Sequence, residues 1–188
     1  MRRLIYVPII HGPEDLGARL EAVRKAYLAR YGVRAWQQHL KSVEQFWEEV
    51  RHGVRRLSQG PRKLRIYQDG LPVCGRELEL AQQLAANGSR NHRLIVELVE
   101  QGALLTGTED PELLKREQER SQDAVGLSQP ASASRYDTLM EQRDGYIAAR
   151  IDATLQAEGE AGLLFMGALH RVAGYLPKDI EVVRLHGR

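Results

Sequence analysis

The sequence predicts an α/β protein in which a mostly parallel sheet of about five strands has helices on both faces. Two observations lead to this fold class. Short runs of apolar and β-branched residues alternate with longer segments of helical period. Such alternation is typical of strand–helix–strand units, which place their strands side by side in one direction. The length of 188 residues, 43% of them hydrophobic, suits a single domain over residues 1–188.

The predicted elements follow in chain order. Strands are expected at residues 3–10, 63–67, 103–106, 161–166 and 180–185. Helices are expected at residues 14–28, 33–57, 77–86 and 89–101, from Pro111 onward, and at residues 136–157. The segment 126–135 (GLSQPASASR) is small and polar, which predicts a mobile loop.

Composition narrows the function classes. The net charge is only +2, and the richest basic stretch, residues 51–63, has no interleaved aromatic residues, which argues against a nucleic-acid partner. No segment approaches the roughly 20 apolar residues of a membrane helix, and the N-terminal run resembles a core strand more than a signal peptide. The single cysteine, Cys74, excludes an internal disulfide and suits a cytoplasmic protein.

Polar residues follow the predicted strands at the points where those strands end. Ligands of open α/β sheets bind outside the carboxyl ends of the strands. The candidates there are His11 with Glu14 and Asp15, then Asp69, then Thr108, Glu109 and Asp110, and finally Gly167 and His170. Each also has an ordinary interpretation: Asp69 as a turn residue, Asp110 as a helix N-cap, and the histidines as loop or core residues. Gly167 would let the chain turn sharply beside His170.

The long sixth helix contains one carboxylate in its apolar stripe. The apolar stripe consists of Met140, Ile147, Ile151 and Leu155, and Asp144 occupies the remaining position on the same side of the helix. A buried carboxylate needs a partner. Arg143 lies about 100° away around the helix. We therefore expect the partner of Asp144 to be a strand-end histidine or a metal ion. Alternatively, Asp144 lies at the rim of the sheet and stays partly hydrated.

Residues 143–151, Leu155 and residues 162–170 (GLLFMGALH) together resemble the closing segment of the erythromycin-esterase/ChaN-like superfamily and its TraB/TIKI-type relatives. Those proteins carry an Arg-Asp pair, an inward-facing helix, an apolar strand and a G-x-x-H motif, here Arg143, Asp144 and His170. Their first strand usually ends in a glycine-bearing motif, whereas this chain has only the histidine, His11. The resemblance implies an α/β sandwich whose pocket is lined by two histidines, carboxylates and an arginine.

The leading functional hypothesis is a hydrolase that acts on an ester, amide or phosphoester bond of a small molecule or peptide. Its predicted catalytic residues are His11, Arg143, Asp144 and His170, with Arg143 steadying negative charge. In one version His11, Asp69, Glu109 and His170 hold a divalent metal ion (Mn²⁺, Co²⁺ or Zn²⁺) that activates water. In the other version no metal takes part, and a histidine oriented by Asp144 acts as the base.

Two other classes of function stay open. The pocket could bind a small molecule without chemistry, or haem, with Tyr67 or Tyr175 as an alternative iron ligand. Alternatively, Trp36, Phe46 and Trp47 on the second helix could form a partner surface. An aromatic stripe at helical spacing more commonly belongs to a core, but an exposed one would indicate a homodimer. Cys74 could be a nucleophile, although a lone cysteine in an apolar stretch is usually inert.

Overall fold

The computed structural model describes residues 1–10, 12–15, 20–58, 63–126, 133–156 and 159–185. Five strands occur within these ranges: β1 (Arg2–Ile9), β2 (Lys63–Gln68), β3 (Leu104–Thr106), β4 (Glu160–Gly167) and β5 (Ile180–Arg184). The helices are α1 (Leu20–Ser58), α2 (Glu77–Ala86), α3 (Arg90–Glu100), α4 (Pro111–Gly126) and α5 (Ala133–Thr154), with short 3₁₀ turns at Pro13–Asp15 and Val172–Gly174.

The five described strands form one sheet in which every pair is parallel, in the order β3-β2-β4-β1-β5. The predicted fold class is therefore confirmed, and the predicted strands agree with the observed ones to within one residue at each end. None of the helices in the described ranges is long and apolar enough to cross a membrane.

The first predicted helix, at residues 14–28, differs from the prediction at its start. Pro13–Asp15 is a 3₁₀ turn, and α1 begins at Leu20 instead of residue 14. The predicted break between the two helices is confirmed, because Gly32 adopts φ 80° and ψ 171°, a conformation that only glycine adopts readily. The Tyr27 ring lies 5.3 Å from Trp36 and 5.4 Å from His39, so the segments before and after Gly32 pack against each other.

Both ends of the predicted loop at 126–135 are helical. Gly126 still belongs to α4, and α5 begins at Ala133, a residue of high helix propensity. Residues 127–132 lie outside the described ranges. The other end of α5 also differs slightly, since the helix ends at Thr154 and not at residue 157.

Side chains of the sheet pack against helices on both faces. On one face Ile5, Val7 and Phe165 contact a core that includes Val43 and Trp47 of α1, with further buried residues from α2 and α3. Phe46 also packs on this core, so Phe46 and Trp47 are core residues, the commoner of the two roles considered for the aromatic stripe. The opposite face packs on α5 and on Val172.

The connections that follow β4 and its two neighbours in the sheet lead to opposite faces. Strands β1 and β2 lead into helices that cover the first face, whereas β4 leads into Val172, which packs on the second face. Strand β4 lies between β1 and β2 in the sheet. Such divergence opens a crevice at the carboxyl ends of the strands, and that crevice is where the candidate site lies.

A substitution at Gly162 would test how tightly the second face of the sheet is packed. A Cβ atom at this position would lie 2.5 Å from Leu4 and 3.2 Å from Leu155. We expect Gly162→Ala to lower the free energy of unfolding by about 1–3 kcal/mol through overpacking, measured by urea denaturation. Gly145→Ala is the matched control because a Cβ there meets nothing within 4 Å. It should raise stability by about 0.5–1 kcal/mol through helix propensity. Equal stabilities of the two variants would contradict this account.

Candidate functional site

A pocket of about 600 Å³ opens at the carboxyl edge of the sheet. Its lining comes from the ends of β1, β2 and β4 and from the facing sides of α4 and α5. The polar part of the lining consists of Gln68, Asp69, Glu117, Arg143 and His170. Three of these five residues, Asp69, Arg143 and His170, were site candidates from the sequence.

Arg143 of α5 lies at the centre of a group of carboxylates. Its Nε and Nη2 atoms donate to the two oxygens of Glu109 at 2.6 and 2.7 Å. Nη2 also donates to Asp69 Oδ1 at 3.1 Å, and Nη1 donates to Glu117. The side chain of Arg143 is only 4% exposed. These contacts favour an organising role for Arg143 over the predicted contact with an anionic substrate.

Asp144 faces inward as predicted and pairs with a strand-end histidine. Its Oδ1 lies 2.5 Å from His170 Nδ1, and its Oδ2 accepts a hydrogen bond from the backbone N–H of Arg171 at 2.6 Å. Asp144 is 2% exposed, so both oxygens need these partners. The expectation of a histidine partner is therefore confirmed, and the partly hydrated rim position is excluded.

Asp69 faces the second ring nitrogen of His170. Asp69 Oδ1 lies 3.4 Å from His170 Nε2, and Asp69 Oδ2 accepts the backbone N–H of Gly167 at 3.0 Å. A Cβ at position 167 would come within 3.0 Å of this oxygen. Gly167 does not have a positive φ. A glycine is therefore needed at position 167 because Asp69 approaches closely, and not for the sharp turn that we expected.

The two aspartates control the charge of His170. Burial works to lower the pKa of His170, but the hydrogen bond with Asp144 and the contact with the Asp69 carboxylate outweigh it and raise the pKa to about 9. Burial works to raise the pKa of Asp69, but His170 and Arg143 hold it well below its usual range. His170 is consequently an imidazolium at neutral pH, which does not suit the predicted role of base.

Carboxylates outnumber cations in this cluster. Arg143 and His170 face Asp69, Glu109, Glu117 and Asp144. Burial raises the pKa of the Glu109 carboxyl, and the nearby Asp69 charge adds to this effect, while Arg143 opposes it. The cluster formally has two more carboxylates than cations, and Asp69 and Glu117 are the two carboxylates that line the pocket, which favours neutral or cationic ligands.

The remaining sequence candidates have other positions. Asp110 is the N-cap of α4, since its Oδ1 accepts the backbone N–H of Glu112 at 2.8 Å and of Leu113 at 3.2 Å. Thr108 is buried, and its Oγ1 accepts the backbone N–H of Gln68 at 2.9 Å. His11 lies outside the described residues, so its predicted catalytic and metal-binding roles stay predictions.

Arg90 and Glu77, which had no assigned role in the sequence, have structural partners. Arg90 Nε donates to Glu14 Oε1 at 3.1 Å. Glu77 Oε1 accepts the backbone N–H groups of Cys74 and Gly75 at 2.9 and 3.0 Å, which orders the turn before α2. Cys74 is exposed and does not line the pocket, which does not favour it as a nucleophile.

Sequence reasoning missed Glu117 and the amide pair of Gln68 and Asn91. Glu117 lies three residues after Leu114 on α4, and both line the pocket. The rule that identified Asp144, a charge on an apolar helix face, could have identified Glu117 as well. Asn91 Nδ2 donates to Gln68 Oε1 at 2.7 Å. A pairing between side chains 23 residues apart has no local sequence signal.

The predicted metal site requires open donor atoms. In the described ranges no three His, Cys, Asp or Glu side chains are arranged to hold a metal ion. Glu109 is engaged by Arg143 and by the backbone N–H of Gly70 at 2.8 Å, while Asp69 is engaged by Arg143 and Gly167. These contacts do not fit a metal ion in this arrangement. His11 belongs to the predicted ligand set and is not described, so the metal ion stays a prediction.

The haem alternative depended on tyrosine or histidine ligands. Tyr67 is fully buried and shares a 2.8 Å hydrogen bond with Thr154, and burial raises its pKa to about 12. Tyr175 is 48% exposed and lies outside the pocket lining. Neither tyrosine is favoured as an iron ligand by these positions.

Comparison of the chain with protein-family models, curated proteins and solved structures found no match. The resemblance to the erythromycin-esterase/ChaN-like and TraB/TIKI-type proteins therefore stays a prediction.

The raised pKa of His170 predicts a pH dependence of stability. Because the pKa rises from 6.5 to about 9 on folding, the stabilisation is fully present below pH 6.5 and is lost as the pH passes 9. We expect the free energy of unfolding to fall by about 2–3 kcal/mol over this range, measured by urea denaturation. His170→Gln should remove the fall, whereas replacement of the exposed His52 by Gln should keep it. A fall that persists in His170→Gln would refute the assignment.

Removal of Arg143 should leave mutually repelling carboxylates. We expect Arg143→Met to lower the free energy of unfolding by about 3–5 kcal/mol at pH 7. The loss should be smaller at pH 5, because the unpaired carboxylates can take up protons. The control is Arg116→Met on the exposed side of α4, which should cost less than about 0.5 kcal/mol. A loss of the same size at both pH values would argue against the charge cluster as its cause.

Proposed function

We propose that the protein is a hydrolase that cleaves an ester or amide bond of a small molecule or peptide in the 600 Å³ pocket, with His170 as the proton donor. The observation that carries this proposal is the pair of aspartates around one imidazole at the pocket wall. Asp144 Oδ1 lies 2.5 Å from Nδ1, and Asp69 Oδ1 lies 3.4 Å from Nε2. The pKa of about 9 supplies the proton at neutral pH.

The contact between His170 Nε2 and Asp69 is longer than an ordinary hydrogen bond of this type, which spans about 2.7–3.2 Å. A leaving-group atom of a substrate can therefore replace this contact at low cost. General acid catalysis by a histidine in this position typically contributes about 10²–10⁴-fold to the rate. Asp144 would keep the ring oriented throughout the reaction, as the buried aspartate of a catalytic triad does.

The reaction balances with water as the nucleophile. Water oxygen forms a bond to the acyl carbon, the bond between that carbon and the leaving group breaks, and His170 Nε2 gives its proton to the leaving group. The proton released by the attacking water restores the imidazolium. Among the described residues that line the pocket there is no Ser, Thr or Cys, which is why attack by water is preferred over a covalent intermediate.

The charge of the pocket narrows the substrate. Four carboxylates contact two cations in the cluster beside the pocket, and this excess of carboxylates disfavours an anionic phosphoester. An ester or amide that is neutral or cationic fits better. A divalent ion held in part by His11 would reverse this preference, which is why the test below includes metal ions.

A non-catalytic binding protein is the second candidate. It is favoured by the saturation of the cluster, since Arg143, Asp69, Glu109 and Asp144 all have partners within the described residues. Such an arrangement would also serve to hold a rigid pocket wall.

Paired substrates with different leaving groups separate these candidates. A proton donor assists a poor leaving group such as ethoxide far more than 4-nitrophenolate, which departs without protonation. We expect His170→Gln to lower kcat/KM about 100-fold or more for ethyl esters and amides, and less than about tenfold for 4-nitrophenyl esters of the same acids. The rate on ethyl esters should fall above pH 9, where His170 loses its proton.

His52→Gln should leave both activities unchanged. The assays are repeated with Mn²⁺, Co²⁺ or Zn²⁺ and with 4-nitrophenyl phosphate, and activity that requires a metal would favour the metal-dependent version. Equal losses on both leaving groups would indicate a structural role for His170. Failure to cleave any of these substrates would favour the binding protein.

A further inference from the structure

The first part of α1, residues 20–42, forms an arm that stands away from the core of the domain. All residues of the arm are described, and none of them is buried. Burial begins at the next residue, Val43, which belongs with Trp47 and Val50 to the core on the first face of the sheet. Packing of the core therefore does not account for the apolar residues of the arm.

The arm projects from the edge of the sheet at which the 600 Å³ pocket opens. A Cβ at Gly53 would lie 2.9 Å from Leu185, whose backbone N–H donates to the carbonyl oxygen of Tyr6. Earlier in α1, Trp47 Nε1 donates to the carbonyl oxygen of Ile10 at 3.0 Å, four residues further along the chain of β1. The helix thus approaches the carboxyl ends of the strands as residue numbers fall, and the arm continues past that edge.

Gly32 bends the arm back on itself. Tyr27 and His39 would lie about 18 Å apart along a straight helix, but their rings stack with centroids 5.4 Å apart. The Trp36 ring contacts both, at 5.3 Å from Tyr27 and 5.8 Å from His39. These three rings form an aromatic cluster that holds the two halves of the arm together. Gly32 and its neighbours therefore form the tip of the arm.

The tip carries two exposed apolar side chains between two arginines. Tyr31 is 54% exposed and Val33 is 63% exposed, and Arg30 and Arg34 flank them in the chain. The Arg30 guanidinium lies 5.2 Å from the centre of the Tyr31 ring. Apolar side chains beside cations suit the boundary between lipid headgroups and acyl chains, because the apolar groups leave water while the long arginines reach the headgroups.

Positive charge is concentrated in the arm. Residues 20–42 contain five Lys and Arg but only one acidic residue, Glu21, whereas residues 43–50 contain three Glu and no cation. The arm alone has a charge of +4 and the whole chain has +2, so the remainder has −2. Arg24 contacts Glu21 at 3.6 Å, and the other Lys and Arg of the arm form no ion pair within the described part of the chain. The arm therefore attracts an anionic surface.

The same features disfavour two other partners. A second copy of the chain would bring together two arms of like charge, which repel each other. A single-stranded nucleic acid would need free ring faces on which its bases stack. The rings of the aromatic cluster pack on one another, and Arg30 covers the Tyr31 ring. An anionic lipid surface needs neither a free ring face nor a complementary groove.

We propose that the arm binds the surface of a membrane that contains anionic lipids. Tyr31 and Val33 at the tip enter the interfacial region, and the surrounding cations lie against the phosphate groups of the lipids. The contact is peripheral and needs no membrane-spanning helix. It does not depend on the proposed hydrolase activity. Because the arm projects beside the pocket, binding brings the pocket edge of the sheet toward the lipid surface.

Vesicle sedimentation tests the lipid preference of the purified protein. The probes are vesicles of phosphatidylcholine alone and vesicles with about 30% phosphatidylserine. We expect the anionic vesicles to bind the protein with a partition constant on the order of 10⁴ M⁻¹, the strength that one weak apolar anchor gives. Binding to phosphatidylcholine alone, or to the anionic vesicles in about 0.5 M salt, should be at least about 30-fold weaker.

A charge variant tests the role of the arginines. The double variant Arg30→Gln with Arg34→Gln should lower the partition constant about 10–30-fold, because each cation near an anionic surface contributes about fivefold. The control is Arg56→Gln with Lys178→Gln, which removes the same charge from exposed positions outside the arm. It should change binding less than about threefold, since these positions lie beyond the reach of the lipid surface.

An apolar variant tests the role of the tip. Tyr31→Ser with Val33→Ser should lower the partition constant about tenfold or more, because less apolar surface leaves water. The control is Leu78→Ser with Leu84→Ser on α2, where the two leucines are 40% and 43% exposed. This control should bind as the unaltered protein does. Circular dichroism checks that all variants are folded, which the exposure of the substituted side chains favours.

Fluorescence quenching shows whether the tip enters the lipid. Tyr31→Trp places a new indole at the tip, and lipids brominated on their acyl chains quench an indole that enters the interface. We expect more quenching in this variant than in the unaltered protein, in which Trp47 is buried and Trp36 packs in the aromatic cluster. Adsorption by charge alone would leave the quenching of the two proteins equal.

Four results would overturn the inference. They are no sedimentation with anionic vesicles at millimolar lipid, equal binding to neutral vesicles, equal losses in the arm variants and their controls, and equal quenching. Tighter binding of a single-stranded oligothymidine than of vesicles would assign the arm to nucleic acid instead. A dimer in sedimentation velocity that Tyr31→Ser with Val33→Ser dissociates would assign it to a second copy. Absence of hydrolysis would leave the vesicle results unchanged, so this inference and the hydrolase proposal fail separately.

Discussion

The ion cluster around Arg143 is the constraint on which the rest of the site depends. One guanidinium from α5 contacts Asp69 after β2, Glu109 after β3 and Glu117 on α4. Arg143 is separated from these carboxylates by 26 to 74 residues along the chain, so the cluster joins the edge of the sheet to both helices over the pocket. Buried charges tolerate little displacement, because each loses hydration that only its partners replace. The cluster therefore holds Asp69 in the position from which it faces His170.

The chemistry of the pocket follows from unequal numbers of acids and bases. Asp144 and Asp69 keep His170 protonated, which turns the expected base into an acid. The excess of carboxylates favours substrates with positive charge or donor groups.

Local sequence patterns predicted most of the secondary structure and part of the site. The strands could be predicted because both faces of a parallel sheet are buried, which requires continuous apolar runs. Glycine and polar residues next to these runs indicated where the strands end. Asp144 was found because a carboxylate in an apolar helical stripe departs from the period. The start of α1 and the limits of the 126–135 loop were less predictable, since helix ends depend on tertiary contacts as well as on propensity. Glu117 escaped notice because α4 has only a short apolar stripe to depart from.

The sequence by itself determined the fold class, the strands and the edge of the sheet at which Asp69, Glu109 and His170 gather, because these follow from periodicity and from the rule for strand ends. Only the tertiary structure decided which atoms meet. The order β3-β2-β4-β1-β5 brings the ends of β2 and β4 side by side, and this places Asp69 against both His170 and Arg143. The protonation state of His170 and the role of Gly167 both depend on distances of a few ångströms between residues far apart in the chain. Such distances have no counterpart in a linear pattern, because they result from how the helices pack on the sheet.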